Sequence, residues 1–195
     1  MRSLSRSLSL TPILLLLGLA LPSGLTAQSR YVGFAGGVNL SEFSDDFGLY
    51  STDSRWGANL GLVLGMRTTN RISFSIEPAW SQLGGGDGSI DYVEVPLLIG
   101  GLAETNEATR FGGYAGIMPA FKTSCSIETP AGSCDDLKSS AWFLPLGVRA
   151  YRQAGEGNWI GIDIRYAIPL GSSFESADAN QRAWTFRLVF VKGEL

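Results

Sequence analysis

The chain has 195 residues, with 15 basic and 18 acidic side chains, a formal net charge of −3 and no histidine. That mildly acidic balance leaves no electrostatic footprint for nucleic acid, and the length fits one domain. Beyond residue 27 no run of 18 or more apolar residues argues for a membrane-spanning helix.

Residues 1–27 follow the order of an export signal: Arg2 and Arg6, an apolar core from Leu10 to Leu21, then Pro22, Ser23, Gly24, Leu25, Thr26 and Ala27. The apolar run falls short of the roughly 20 residues that cross a bilayer as a helix. Cleavage is expected after Ala27, which leaves residues 28–195 as the folded domain. Without Arg2 and Arg6 this part holds 13 basic against 18 acidic side chains.

From there the chain repeats a period of two, the mark of strands with one apolar face and one wetter face. The first strand is expected over about Tyr31–Leu40, with Val32, Phe34, Val38 and Leu40 outward. The second runs Trp56–Arg67, where Trp56, Ala58, Leu60, Leu62, Leu64 and Met66 alternate with Gly57, Asn59, Gly61 and Arg67 among others. In the third, about Arg71–Gln82, Ile72, Phe74, Ile76, Pro78 and Trp80 point outward and Ser73, Ser75, Glu77, Ala79 and Ser81 inward. The fourth, about Ile90–Leu102, sets Val93, Val95, Leu97 and Ile99 against Tyr92, Glu94, Pro96 and Leu98.

The fifth, about Arg110–Phe121, is so rich in glycine that its outward face is left open. The sixth, about Ala141–Arg152, turns Trp142, Leu144, Leu146 and Val148 outward and Arg149 inward. Over Trp159–Leu170 the seventh opposes Ile160, Ile162, Ile164, Tyr166 and Ile168 to Gly161, Asp163, Arg165 and Ala167. The eighth, about Arg182–Val191, opposes Trp184, Phe186, Leu188 and Phe190 to Thr185, Arg187 and Val189.

Ten to twelve residues per strand suits a tilted crossing of a bilayer, whereas ordinary sheets use about 5 or 6. The connections 41–55, 83–89, 122–140 and 171–181 are mostly longer than 68–70, 103–109 and 153–158. Long loops at one end and short turns at the other fit an even-stranded barrel with both termini on the periplasmic side. Tyr31, Trp56, Trp80, Trp142, Trp159 and Trp184 lie near strand ends, where aromatic girdles are expected. Glu77, Glu94, Arg149, Asp163, Arg165 and Arg187 fall at inward positions, the reverse of a soluble barrel with an apolar interior.

Four stretches carry a resemblance: Gly36-Gly37-Val38-Asn39-Leu40-Ser41, Ile76-Glu77-Pro78, Tyr92-Val93-Glu94-Val95-Pro96-Leu97-Leu98 and Asp163-Ile164-Arg165-Tyr166. With these the chain resembles the eight-stranded outer-membrane β-barrel domain of Bacteroidetes-type bacteria, including the PorT-like proteins. The resemblance implies an all-β, eight-stranded antiparallel up-and-down transmembrane barrel. It also permits a role in assisting secretion or envelope assembly, which no single residue marks out.

Without histidine, imidazole proton transfer near neutral pH is closed to this chain. Glu77 with Glu94 is the one carboxylate pair placed for acid–base work. The simpler reading gives both to the inward arginines Arg149, Arg165 and Arg187 as a structural charge network that also includes Asp163. Cys125 and Cys134 are expected to form a disulfide, as a lone pair in an exported chain does, and two cysteines without histidine do not make a metal site.

Gly84-Gly85-Gly86-Asp87-Gly88 lacks the Lys-Ser/Thr ending of a phosphate loop and reads as a flexible surface loop. The expected outer loops carry Glu42, Asp45, Asp46, Asp53, Asp87, Glu128, Asp135, Asp136, Glu175 and Asp178 against Arg55, Lys122 and Lys138. They are expected to be solvated, with divalent-ion or cationic-ligand binding at the cell surface as the sharper reading.

The sequence thus points to a non-enzymatic outer-membrane barrel with a side-chain-filled lumen and a structural or surface-interaction role in the envelope. No catalytic residue, cofactor or metal is expected. The expected partners are outer-membrane lipid and other envelope proteins, not nucleic acid. The alternative is a soluble periplasmic lipocalin-like barrel that binds a small apolar ligand, and it would require an apolar interior.

Overall fold

Strand β1 (Ser29–Asp45) pairs on one edge with β2 (Arg55–Arg67) and on the other with β12 (Ala179–Gly193), so the sheet closes on itself. The computed structural model describes residues 29–45, 53–68, 72–126, 128–129, 132–135, 137–173 and 179–195. The export signal expected over 1–27 lies outside the described residues, as do Asp46, Asp136, Glu175 and Asp178.

Between β2 and β12 the wall continues through β3 (Ile72–Ile76) and β4 (Ala79–Gly85), β5 (Gly88–Glu94) and β6 (Leu97–Asn106), β7 (Thr109–Ser126), β10 (Ser140–Gly155) and β11 (Asn158–Pro169). The two short segments β8 (Glu128–Thr129) and β9 (Gly132–Ser133) pair only with each other. Both β3 and β4 pair with β2, and β6 and β5 face them in turn, so each of these couples is one stave of the wall. The result is an antiparallel ring of eight staves. A closed ring leaves no unpaired edge, which a bilayer without water to satisfy backbone groups demands.

The breaks within the two couples have a common cause. Pro78 and Pro96 have no N–H to donate. The neighbouring groups still pair: Glu77 N–H donates to Pro96 O at 3.0 Å and Leu62 N–H to Pro78 O at 2.9 Å. Pro119 on β7, Pro145 on β10 and Pro169 on β11 extend the series, one proline on each of five successive staves. At Pro145 the β10–β7 ladder skips from Phe143↔Met118 to Leu146↔Ala115 and keeps its register. The joined staves β12, β1 and β2 contain no proline.

The alternation expected from the sequence holds on the seven staves to which it assigned an outward face. Outward Phe34, Leu60, Leu62, Ile99, Ile162 and Leu188 are each at least half exposed, whereas Asn39, Glu77, Ser81, Asp163 and Arg165 are buried. The apolar exterior around a polar interior is the arrangement of a membrane barrel, with a lipid-facing band about 25 Å tall. It sets aside the lipocalin-like alternative. The fifth stave now has a phase: Phe111, Ile117 and Phe121 face outward and Gly112, Tyr114, Met118 and Ala120 inward.

Two girdle assignments change. Trp56, Trp80, Trp142 and Trp184 are exposed on the outside, but Tyr31 and Trp159 are buried in the lumen. Both occupy the inward parity of their own staves, one residue from outward Val32 and Ile160, and position near a strand end does not override that parity. Two connections are also shorter than expected. Gly84 and Gly85 belong to β4 and are buried, and β4 turns into β5 through Gly86 and Asp87 alone. Gly86 takes φ +57°, a conformation that suits glycine, so the stretch is a tight hairpin in place of the flexible loop. Likewise β6 returns as β7 through Glu107 and Ala108.

Tyrosines fill the space that inward glycines leave. Tyr31 stands opposite Gly65 on β2, and Tyr114 opposite Gly147 on β10. A Cβ on Gly147 would approach Tyr114 Cζ to 2.3 Å, and one on Gly65 would approach Tyr31 Cζ to 2.2 Å. In each pair the tyrosine ring fills the space a side chain on the glycine would need, which pins register across the pair.

Candidate functional site

The lumen is layered. Towards the end with the long connections, Phe43, Leu83, Ile90, Tyr92, Met118 and Phe143 form a buried apolar tier, joined by Leu137 from the 127–139 connection. Towards the end with the short turns, Tyr31, Val63, Leu102, Tyr151, Trp159 and Leu195 form another. Between them lies the charged waist, which holds all six charged residues singled out in the sequence, each buried.

Register builds most of this waist. Asp163 on β11 faces Arg149 on β10 and Arg187 on β12 directly. Arg187 Nη2 lies 3.1 Å from Asp163 Oδ1, and Arg149 Nη2 lies 3.4 Å from Asp163 Oδ2. Arg165, two residues along β11 and so on the same face, points into the same space. Glu77 arrives from the opposite side, at the break between β3 and β4. Its Oε2 sits 2.6 Å from both Arg165 Nη2 and Arg187 Nη2, and its Oε1 lies 3.0 Å from Arg149 Nη2. Ser75 Oγ donates to Glu77 Oε1 at 3.0 Å. One carboxylate thus bridges the lumen from the third stave to three others.

Glu94 does not share that bridge. It interacts with Ser81 and lies in the field of Arg165 and Arg187. The six groups are three arginines and three carboxylates, so the waist is formally neutral, as a narrow interior of low dielectric requires. Tyr114, whose role the open phase of the fifth stave hid, is the polar hinge of the set. Its hydroxyl donates to Asp163 Oδ1 at 2.9 Å and accepts from Arg165 Nε at 3.1 Å, while the Arg149 guanidinium lies 4.0 Å from its ring centroid.

A second polar link lies nearer the long connections. Asn39 Nδ2 on β1 donates to Ser81 Oγ on β4 at 2.7 Å, and Ser41 Oγ donates to Gly84 O at 2.9 Å. At the opposite rim Glu104 receives Arg67 and Arg110 at 3.1 and 3.2 Å. This rim cluster is partly exposed, so its contribution is small.

Cys125 and Cys134 are bonded and pack against the upper tier. Lys122 Nζ secures the same segment by donating to Cys134 O at 3.0 Å and Leu137 O at 2.8 Å. Lys138 Nζ donates to Ser172 O at 3.0 Å, tying this connection to the one after β11. Together these contacts hold Leu137 in the mouth of the barrel. Among the described residues no three Asp, Glu, Cys or His side chains gather as a metal site.

Both oxygens of Glu77 are taken by arginines or Ser75, and apolar tiers lie on both sides of them. Glu77 and Glu94 are both buried.

No family model matches the chain, and no curated protein does. Solved structures do. The Neisserial surface protein A structure matches with a TM-score of 0.56 at 12% identity, over 83% of this chain and 96% of that one. The outer membrane protein OprG of Pseudomonas aeruginosa matches with a TM-score of 0.53 at 12% identity, over 85% and 96%. With a lipid-facing exterior and a charged interior, the fold is that of the small eight-stranded barrels of bacterial outer membranes.

Proposed function

We propose that this chain is a non-enzymatic outer-membrane barrel that works as a wall and a platform: the closed barrel anchors in lipid and its long connections meet the surroundings. The observation that carries this reading is the filled lumen, with Glu77 bridging Arg149, Arg165 and Arg187 between two apolar tiers. Eight staves enclose only enough space for side chains, which argues against a general pore. The resemblance to PorT-like proteins supports a finer role in assisting secretion or envelope assembly, with other envelope proteins as partners.

The test is conductance. Purified barrel in a planar bilayer is expected to leave the membrane insulating across the usual range of applied voltage, and a steady ohmic channel from folded, heat-modifiable protein would overturn the reading. Replacing residues 127–139 with a Gly-Ser linker separates the two parts of the proposal. Membrane insertion is expected to survive, while crosslinking to envelope partners is expected to fall.

A further inference from the structure

The outer face of the barrel carries a groove of about 350 Å³ near the short turns, across β1, β12, β11 and β10. Two registered rows shape it. In the first, Phe34, Phe190 and Ile160 stand side by side, with the two phenylalanine rings stacked 5.1 Å apart. In the second, one step closer to the turns, Val32, Lys192 and Asn158 stand side by side. Ala154 keeps the far wall low.

The first row is hydrocarbon and belongs to the lipid-facing band. The second changes along its length from Val32 to a cation and an amide, which marks the level where acyl chains give way to headgroups. Lys192 is exposed, and among the described residues no carboxylate pairs with it, although Glu194 follows two residues later. Arg30 and Arg152 are the other exposed cations on the outward parity of this wall. A groove with apolar walls and a cation at its headgroup end is complementary to a phospholipid.

We propose that this groove holds one acyl chain of a phospholipid from the leaflet on the short-turn side, with the lipid phosphate on the Lys192 ammonium and the Asn158 amide. The phosphate is the recognised group, so zwitterionic and anionic headgroups both fit, and the lipid is resident rather than freely exchanging.

Native mass spectrometry tests this. Full-length barrel is folded into vesicles of phosphatidylethanolamine and phosphatidylglycerol and transferred to mild detergent, and the phospholipid retained per barrel is counted. One retained phospholipid is expected for the unaltered protein. Lys192→Gln is expected to lower the retained fraction about fivefold, the effect of one interfacial cation, and Ala154→Phe, which fills the groove, to lower it as well. Arg182→Gln, at the other end of β12, is expected to change nothing. Equal retention by the unaltered protein and Lys192→Gln, no retention by the unaltered protein, or an equal loss in Arg182→Gln would each overturn the proposal. Heat-modifiable migration of every variant separates a failed groove from a failed barrel, because an unfolded variant loses the migration shift and a folded one only the lipid.

Discussion

The wall has two unequal parts. Around β12, β1 and β2 the ladder is continuous: β1 pairs with β12 from Tyr31 to Asp45 and with β2 from Ser29 to Ser41 without a shift in register. Each of the other five staves carries a proline, two of them are broken into separate strands there, and the pairings of β7 with β5 and with β6 both contain shifts. In a bilayer each missing ladder bond costs more than in water. The interrupted part is also where Glu77 sits, immediately before Pro78, and its partners lie on β10, β11 and β12. The side-chain bridge therefore supports the wall at the level where the backbone ladder is thinnest.

The largest expected effect comes from the bridge. Glu77→Ala leaves three buried arginines short of their shared carboxylate and is expected to destabilise by about 3–5 kcal/mol. Urea unfolding in lipid vesicles, with heat-modifiable migration as the folding check, measures it. Stability unchanged to within error would remove the bridge from the account. Removal of the disulfide by Cys125→Ser with Cys134→Ser comes next, at about 2–3 kcal/mol at most and confined to the long-connection end of β7. Limited proteolysis should then cut within residues 122–140 and leave the staves intact.

Gly147→Ala tests the tyrosine–glycine seam in the interrupted part, where the new methyl would meet the Tyr114 ring. A loss of about 1–3 kcal/mol is expected from overpacking. Its counterpart in the continuous part is Gly36→Ala, which meets nothing nearer than Leu60 Cδ1 at 3.5 Å. That change should stay within about 0.5 kcal/mol. The smallest effect is in hydrogen exchange of the unaltered protein. Amides flanking Pro96, Pro119 and Pro145 are expected to exchange faster than those of β1 at the same depth, and uniform protection around the ring would erase the distinction.

Much of this was legible from alternation alone. Outward Ile160, Ile162 and Leu188 and inward Asp163, Arg165 and Arg187 follow directly from a period of two, because a strand must send neighbours to opposite faces. The six waist residues were identifiable for the same reason. Their partners were not: that Glu77 takes all three arginines while Glu94 turns to Ser81 depends on how far each side chain reaches across a closed ring, and sequence spacing does not encode that distance. The phase of the fifth stave was hidden because Gly112, Gly113 and Gly116 have no side chains to reveal it, and Tyr114 was missed with it. Tyr31 and Trp159 are a different case, since the parity of their own strands already assigned them to the lumen.

The waist also has a temporal meaning. Asp163 meets its arginines as soon as β10, β11 and β12 are side by side, neighbours in the chain that need little loop closure to find one another. Glu77 belongs to the third stave, 110 residues from Arg187, and the two touch only across a finished cylinder. Until β12 reaches β1, that carboxylate and those guanidiniums face each other across an open sheet. Their contact is expected to come late in insertion and to act as a latch that engages only when the seam has shut.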